Sequence, residues 1–338
     1  MKNKIWWDFT NVPHVNFLLP FIKQLQDSHL HQFSLRDFAE TKGLFEKRIG
    51  DDYLMVGSHK GGNKVKKVLG VFERAYELNK RLEPFDVKIS VGGDASGMVA
   101  KLKRRKSITF DDNEKAPNWR YSRFSDFAFW PASVDVEVLK RQGFKTNKLY
   151  QYNGYKEDIY LADYIPNKSF LSILPFDNYV VVRPENIQAN YVNEPSKTIV
   201  PELLNCLNKK GVNVLFLPRY KHDIEYALGY KNIFIPEGAV NGLDACYYSD
   251  AVFTGAGTMA REAACLGVPA FSFYAGKDLL TVDQSLIQEK KLFFSRNVDE
   301  IIARFYKSSK NEADLRRSKA VQSELLAKFD EVLKSFLK

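Results

Sequence analysis

The stretch DAVFTGAGTMAREAACLGVPAFSFY, residues 250–274, gathers the residues best suited to hold a charged ligand. Its pattern predicts a strand ending at Thr254, a glycine turn, and a helix from about Thr258 that Gly267 stops before Val268-Pro269. Gly255 and Gly257 allow close backbone approach, and the free first-turn amides around Ala256 and Thr258 would point at a ligand. Amides and helix dipole together suit a diphosphate. Glu262, one turn in, could take the two hydroxyls of a ribose. The plainer alternative is a charge that complements the helix N-terminus, with glycines that only shape a turn.

A second group lies at the front of the chain. In DFTNVPHVNFLLPF, residues 8–21, a turn carrying Asn11, Pro13 and His14 separates a strand from an apolar helix. An imidazole titrates near neutrality and can accept a proton from a hydroxyl; it can equally pack beside Pro13 at a helix start. SVGGDASGMVA, residues 90–100, is another strand–glycine–helix junction, holding Gly92, Gly93, Asp94 and Ser96. Asp94 could act as a base, hold a hydroxyl, or cap its helix. In FDDN, residues 110–113, and just after it, Asp111, Asp112 and Glu114 suggest a polar rim. No His/Cys pair has the spacing of metal ligands, so no metal is expected.

These junctions need strands that end side by side. Residues 5–9, 87–91 and 107–110 read as strands in the first half, and 178–182, 212–217, 251–254 and 270–274 in the second. Helical patterns lie between them, such as 65–82, where Val65, Val68, Leu69, Phe72 and Tyr76 share one face. Strand–helix alternation in both halves is the pattern of doubly wound parallel sheets. A chain of 338 residues suits two domains. YLADYIPNKSFLSILPF, residues 160–176, has two prolines and no sustained period, so domains 1–165 and 166–338 are expected. The chain ends, from residue 312, in an amphipathic helix with Leu325, Phe329, Val332, Leu333 and Phe336 on a stripe that must cover its own domain or the other.

With 45% hydrophobic and 27% charged residues the composition is globular, and no run of about eighteen apolar residues offers a membrane span. MKNKIWWDF enters a strand without the features of a signal peptide. Cys206, Cys246 and Cys265 are too few and scattered for a disulfide framework, so a reducing cytoplasm is expected. The net charge of +9 suits anionic partners such as nucleotides and phospholipid headgroups. Its basic runs, SHKGGNKVKK (58–67) and KLKRRK (101–106), read first as solvated faces. Aromatics are not interleaved with them and no nucleic-acid module appears, so nucleic acid is not an expected partner.

Segment 250–274 resembles the donor-nucleotide segment of GT-B glycosyltransferases and of the UDP-N-acetylglucosamine 2-epimerases that share their fold. More narrowly, DFTNVPHV, RDFAET, YNGYKEDIYL, VVVRPEN, LPRYK and GAGTMAREAACLGVP, in that order, resemble domain-of-unknown-function family 354 of the same superfamily. The resemblance implies an α/β protein of the GT-B fold: two Rossmann-like doubly wound domains facing a central cleft, with a C-terminal amphipathic helix. It implies a nucleotide sugar, a UDP-sugar foremost, as substrate and no cofactor. The 255–258 turn would hold the diphosphate and Glu262 the ribose.

Other positions acquire roles by the same likeness. NVPHVNFLLPF resembles the Gly-His-Val-x-Pro opening of inverting transferases, whose histidine is the general base; His14 matches it, although Asn11, Val12 and Pro13 replace the glycines. The 90–100 loop resembles the GG-x-x-SG loop of the transferase that adds N-acetylglucosamine to the lipid-linked peptidoglycan precursor. This puts Gly92, Gly93 and Ser96 on the acceptor side, together with Asn11 and Asp112, and makes Asp94 a second catalytic candidate. Arg183 and Arg219, at strand ends, would neutralise the diphosphate leaving group, or serve as surface ion-pair residues. Asp283-Gln284 resembles the Asp-Gln pair with which many GT-B enzymes hold donor-sugar hydroxyls.

The implied function is transfer of a sugar to a carbohydrate or lipid-linked acceptor in surface-polysaccharide or glycoconjugate synthesis. For a lipid-linked acceptor, the basic 60–67 loop and the helix after it would rest on the anionic inner face of the membrane. Two rivals stay open: a 2-epimerase-like enzyme, and a basic binding protein for nucleic acid or membrane that has lost catalysis. Aligned on Glu185 and Asn186, Val182 stands where the epimerases keep a functional histidine. With Asn118 set on their asparagine, Ala116 stands near the place of their glutamate. Both departures weigh against epimerisation.

Overall fold

The computed structural model describes residues 2–38, 41–58, 64–185, 198–238, 240–276 and 278–338. Asn186 of VVVRPEN, Ala39-Glu40 of RDFAET and residues 59–63 of the first basic run lie outside the described residues. The chain divides into two compact units, Met1–Ala162 with Ser318–Lys338, and Asp163–Arg317.

In the first unit, runs rich in aromatic and aliphatic residues form a parallel seven-stranded sheet: β1 (Lys4–Phe9), β2 (Leu30–Asp37), β3 (Leu54–Ser58), β4 (Val87–Val91), β5 (Lys106–Phe110), β6 (Phe127–Pro131) and β7 (Leu149–Tyr152). The order is β3-β2-β1-β4-β5-β6-β7. Helices α1 (Val12–Leu25), α2 (Thr41–Arg48), α3 (Lys64–Arg81), α4 (Asp94–Leu102), α5 (Trp119–Ser122), α6 (Val136–Arg141) and α7 (Lys156–Leu161) make or follow the crossovers. Covering both faces explains why Ile5, Trp6, Trp7, Asp8 and Phe9 are all buried rather than alternating.

The second unit repeats the scheme with six parallel strands: β8 (Val180–Arg183), β9 (Val214–Phe216), β10 (Ile233–Phe234), β11 (Ala251–Thr254), β12 (Ala270–Ser272) and β13 (Leu292–Phe294), ordered β10-β9-β8-β11-β12-β13. Its helices are α8 (Val200–Lys209), α9 (Gly242–Tyr248), α10 (Gly257–Cys265), α11 (Thr281–Gln288) and α12 (Val298–Phe305). Val180, Val182, Phe216, Phe253 and Phe271 form its core with Leu203, Leu204 and Ile301. In each sheet the winding reverses between the first strand and its neighbour, β1/β4 and β8/β11, and such reversals open ligand crevices at the carboxyl ends of the strands.

Two arrangements depart from the sequence expectations. The last helix, α13 (Leu315–Leu337), was expected with the second domain; from Ser318 onward it belongs to the first unit. The reason is aromatic: Phe329 is fully buried among Phe21, Phe110, Phe129 and Trp7, with ring centroids 5.0, 6.0, 6.5 and 6.5 Å away. Hydrogen bonds from Ser318 to Asp158 (2.8 Å) and from Gln322 to the Ile159 carbonyl (2.9 Å) fix its start. The second departure is α3. An apolar stripe ordinarily covers the sheet, yet Val68, Leu69, Phe72 and Tyr76 face outward. Its packed face is Val71, Arg74, Ala75 and Leu78.

Candidate functional site

At the β8/β11 reversal the residues of the 250–274 segment come together. Helix α10 begins at Gly257 with Ala256 as N-cap, so the amides of its first turn lack intrahelical carbonyl acceptors. The Ala256 amide itself donates to Thr254 Oγ1 at 2.9 Å, which turns the chain from strand into helix. Gly255 is required for an internal reason. A Cβ there would stand 2.3 Å from Glu185 Cβ and 2.4 Å from Glu185 Cα, so only glycine lets the β11 turn lie against the β8 turn. The close approach read as one to a ligand is therefore also, at Gly255, an approach to backbone. Thr258 is half-buried on the first turn.

Charged groups surround that helix start. Arg183 ends β8, and Arg219 reaches the Pro184 carbonyl of the same turn at 3.5 Å. Glu262 is buried on α10. Burial raises the Cys246 thiol well above its ordinary range; the Glu262 charge adds to this and Arg183 opposes it, so all three share one neighbourhood. Arg261 went unread in the sequence. Its guanidinium lies 3.0 Å from where a Cβ on Gly257 would stand, and it pairs with Asp283 at 3.0 Å. Asp283, expected to hold a sugar hydroxyl, is thus buried in an ion pair beside the helix start. Gln284 is turned to the Leu279 carbonyl at 3.1 Å. Glu185, also buried, accepts from Thr198 Oγ1 (2.9 Å) and pairs with Arg296 (3.2 Å).

The β1/β4 reversal holds a different chemistry. Asn11 accepts from the Val12 amide at 2.9 Å as N-cap of α1, and Pro13 sits in the first turn, where a missing N–H costs nothing. The Asn-Val-Pro sequence is thereby explained as helix-start chemistry. His14 follows, half-buried, with Nδ1 3.4 Å from Thr10 Oγ1. Burial, then the positive charge of Lys156, pushes its imidazole down to about 3, against the favourable pull of Asp112. It is therefore neutral at physiological pH and a weaker base than its type suggests.

Beneath it, Asp8 is fully buried. Burial would raise its carboxyl, but Arg74 outweighs this through two hydrogen bonds, 2.6 and 3.0 Å long, and brings it to about 2. Ser34 donates to the same carboxylate at 2.6 Å. Lys88, buried nearby on β4, is lowered by burial to about 8. Gly92 and Gly93 take φ of +60° and +108°, the conformations that favour glycine, and turn β4 into α4. Ser96 is buried behind the loop. Gly93 is the N-cap, so Asp94 stands in the first turn of α4 without capping it; burial raises its carboxyl while Arg120 opposes.

The carboxylates after β5 are not a simple rim. Asp112 is buried and pairs with Lys156 at 2.7 Å, and Glu114 is buried too. Asp111 accepts from Tyr121 Oη (2.6 Å) and from the Asp112 and Asn113 amides. Burial and the Asp112 charge raise it to about 6, nearer neutrality than His14. The FDDN run was a visible signal, but Tyr121 lies ten residues away and only the fold sets it on Asp111. Among the described residues, no group of three or more His, Cys, Asp or Glu could hold a metal ion.

Comparison with known proteins places this architecture. An uncharacterised protein of Methanocaldococcus jannaschii is 28% identical over 315 residues, covering 88% of this chain and 89% of its own. A UDP-GlcNAc 2-epimerase of the same organism, solved in complex with UDP-GlcNAc and UDP, superposes with a TM-score of 0.69 at 15% identity, over 95% of this chain and 98% of that one. A glycotransferase of kitacinnamycin gives a TM-score of 0.65 at 11% identity over 100% of both chains. At such identities the likeness is one of fold, and the fold is GT-B: α/β, with two Rossmann-like units. The family model "Protein of unknown function (DUF354)" matches residues 3–334, nearly the whole chain, and the protein belongs to that family.

Proposed function

We propose that the protein is a glycosyltransferase that moves a sugar from a nucleotide-activated donor, foremost a UDP-sugar, to a carbohydrate or lipid-linked acceptor in surface-polysaccharide or glycoconjugate synthesis. The observation that carries the donor reading is the α10 start. First-turn amides, Arg183, Arg219 and Arg261 surround one helix N-terminus at a strand-order reversal, with Glu262 one turn in. That is a chemistry for a diphosphate and a ribose diol. A neighbour of the same fold was solved with UDP-GlcNAc and UDP, which supports the ligand class.

Transfer is preferred to epimerisation because Val182, at the place of the epimerase histidine, is a fully buried core residue paired with Phe216 and Phe253. A valine side chain has no proton to give or accept. Transfer asks for one base and a stabilised leaving group. In this reading the Gly255–Thr258 turn and the arginines take up the developing diphosphate charge. In this reading His14, neutral, accepts the acceptor's proton, with Asp94 as the second catalytic candidate. Asn11, Gly92, Gly93, Ser96 and Asp112 shape the acceptor side, and no cofactor or metal enters.

Calorimetry with UDP and a panel of UDP-sugars tests the donor site. Glu262→Ala is expected to weaken binding by about tenfold to a hundredfold, the worth of a charged hydrogen bond. Absence of binding by any nucleotide would end the donor reading, and epimer formed from donor alone would replace transfer with epimerisation.

A further inference from the structure

We infer that the outward face of α3 docks on an anionic phospholipid bilayer. Val68, Leu69, Phe72 and Tyr76 are 43%, 61%, 56% and 66% exposed and run along about 12 Å of helix. The sheet is already covered by Val71, Arg74, Ala75 and Leu78, so the fold does not use this stripe. Single exposed apolar side chains are ordinary, but a contiguous stripe with two aromatic rings marks a surface that meets something apolar.

Charge selects the occupant. In the sequence the run that leads into the stripe, SHKGGNKVKK, carries Lys60, Lys64, Lys66 and Lys67 and no carboxylate. Glu73 borders it on one side and is outnumbered. An exposed aliphatic and aromatic stripe preceded in the sequence by a basic run, in a chain of net charge +9, is the composition of a helix that lies in the headgroup layer of an acidic membrane. A nucleic acid would leave the apolar centre unused.

The topology adds a direction. Helix α3 leaves the carboxyl end of β3 and returns to the amino end of β4, so its first turn lies at the edge where the loops carrying His14, Gly92 and Asp94 also lie. Resting on the transferase reading, this sets the bilayer beside the acceptor-side loops and makes the acceptor lipid-linked.

Co-sedimentation of the full chain with vesicles tests the surface. Vesicles containing phosphatidylglycerol are expected to pellet the protein, with affinity falling as salt rises, while phosphatidylcholine alone does not. Leu69→Ser combined with Phe72→Ser should weaken this by about tenfold or more, with the thermal melt unchanged because neither side chain packs in the core. Absence of binding to anionic vesicles overturns the inference. So does a dimer, seen by light scattering, that the same double variant dissociates, since a second copy would then own the stripe. UDP-sugar calorimetry separates the two readings. Donor binding without vesicle binding sinks the docking surface alone; vesicle binding without donor binding sinks the transferase alone.

Discussion

At the β8/β11 reversal the chain offers backbone: a helix start with its first-turn amides, a glycine pressed against the neighbouring turn, and arginines around it. At the β1/β4 reversal, with the same strand order, it offers buried titratable side chains: Asp8 with Arg74, Lys88, His14 with Lys156 and Asp112 close by. Amides carry partial charge that no pH change removes, so the first kind of crevice is fitted to a permanent anion. Side chains with displaced pKa values can hold or release protons, which fits the second kind to proton transfer. One topology, used twice, thus presents backbone groups at one reversal and titratable side chains at the other.

The sharpest way to break this contrast is to remove a charge from the side-chain-built crevice. Arg74→Met leaves the Asp8 carboxylate buried without its main partner and should cost about 3–5 kcal/mol in urea unfolding, or force Asp8 to fold protonated. A loss below about 1 kcal/mol would mean that Asp8 does not depend on that pair. In the backbone-built crevice the equivalent blow is steric. Gly255→Ala should cost about 3 kcal/mol and abolish nucleotide binding, because the new Cβ collides with Glu185 backbone. Gly92→Ala, whose Cβ would meet Asp111 at 3.4 Å and whose strain lies mainly in its φ of +60°, should cost about 1–2 kcal/mol. Comparing the two unfolding midpoints measures how much tighter the first turn is; equal losses would erase that difference.

The smallest effect is in pH. The folded His14 is depressed from 6.5 to about 3, so its contribution is fully present above pH 6.5 and is lost as pH falls toward 3, where the unfolded chain binds a proton and the folded one does not. Asp8, held at about 2 against an ordinary 3.8, adds a second loss below about pH 4. His14→Gln should flatten stability between pH 6.5 and 4, gaining about 1 kcal/mol near pH 5 after allowance for partial solvent screening, while the lower step remains. An unaltered slope in that window would place the His14 ring in a more solvated setting.

Much of the β8/β11 group was readable in the chain because it is local. Thr254, Gly255, Gly257 and Gly267 are strand-end, turn and helix-stop residues within a few positions of one another, and local signals of this kind survive folding. The β1/β4 group was less readable. Asp112 was expected at a rim, but its partner Lys156 stands 44 positions away, and Arg74 stands 66 positions from Asp8. Nothing in the spacing announces such pairs. The α3 stripe illustrates the opposite failure: periodicity identified the helix, but could not say that its apolar side was the outer one, because Arg74 is drawn inward by Asp8.

What the sequence determined by itself is the alternation of strand and helix in both halves, the glycine turns that end the strands, and the identity of the groups at those turns. These are properties of short windows: hydrophobic period, backbone freedom at glycine, and the helix-stop signal at Gly267. What only the tertiary structure decided is which charges are buried together, which face of α3 is left outside, and which unit the last helix completes. Those depend on contacts between distant segments. Phe329 joins the first unit because four aromatic side chains from the front of the chain enclose it, and the order of residues along the chain does not reveal that shared volume.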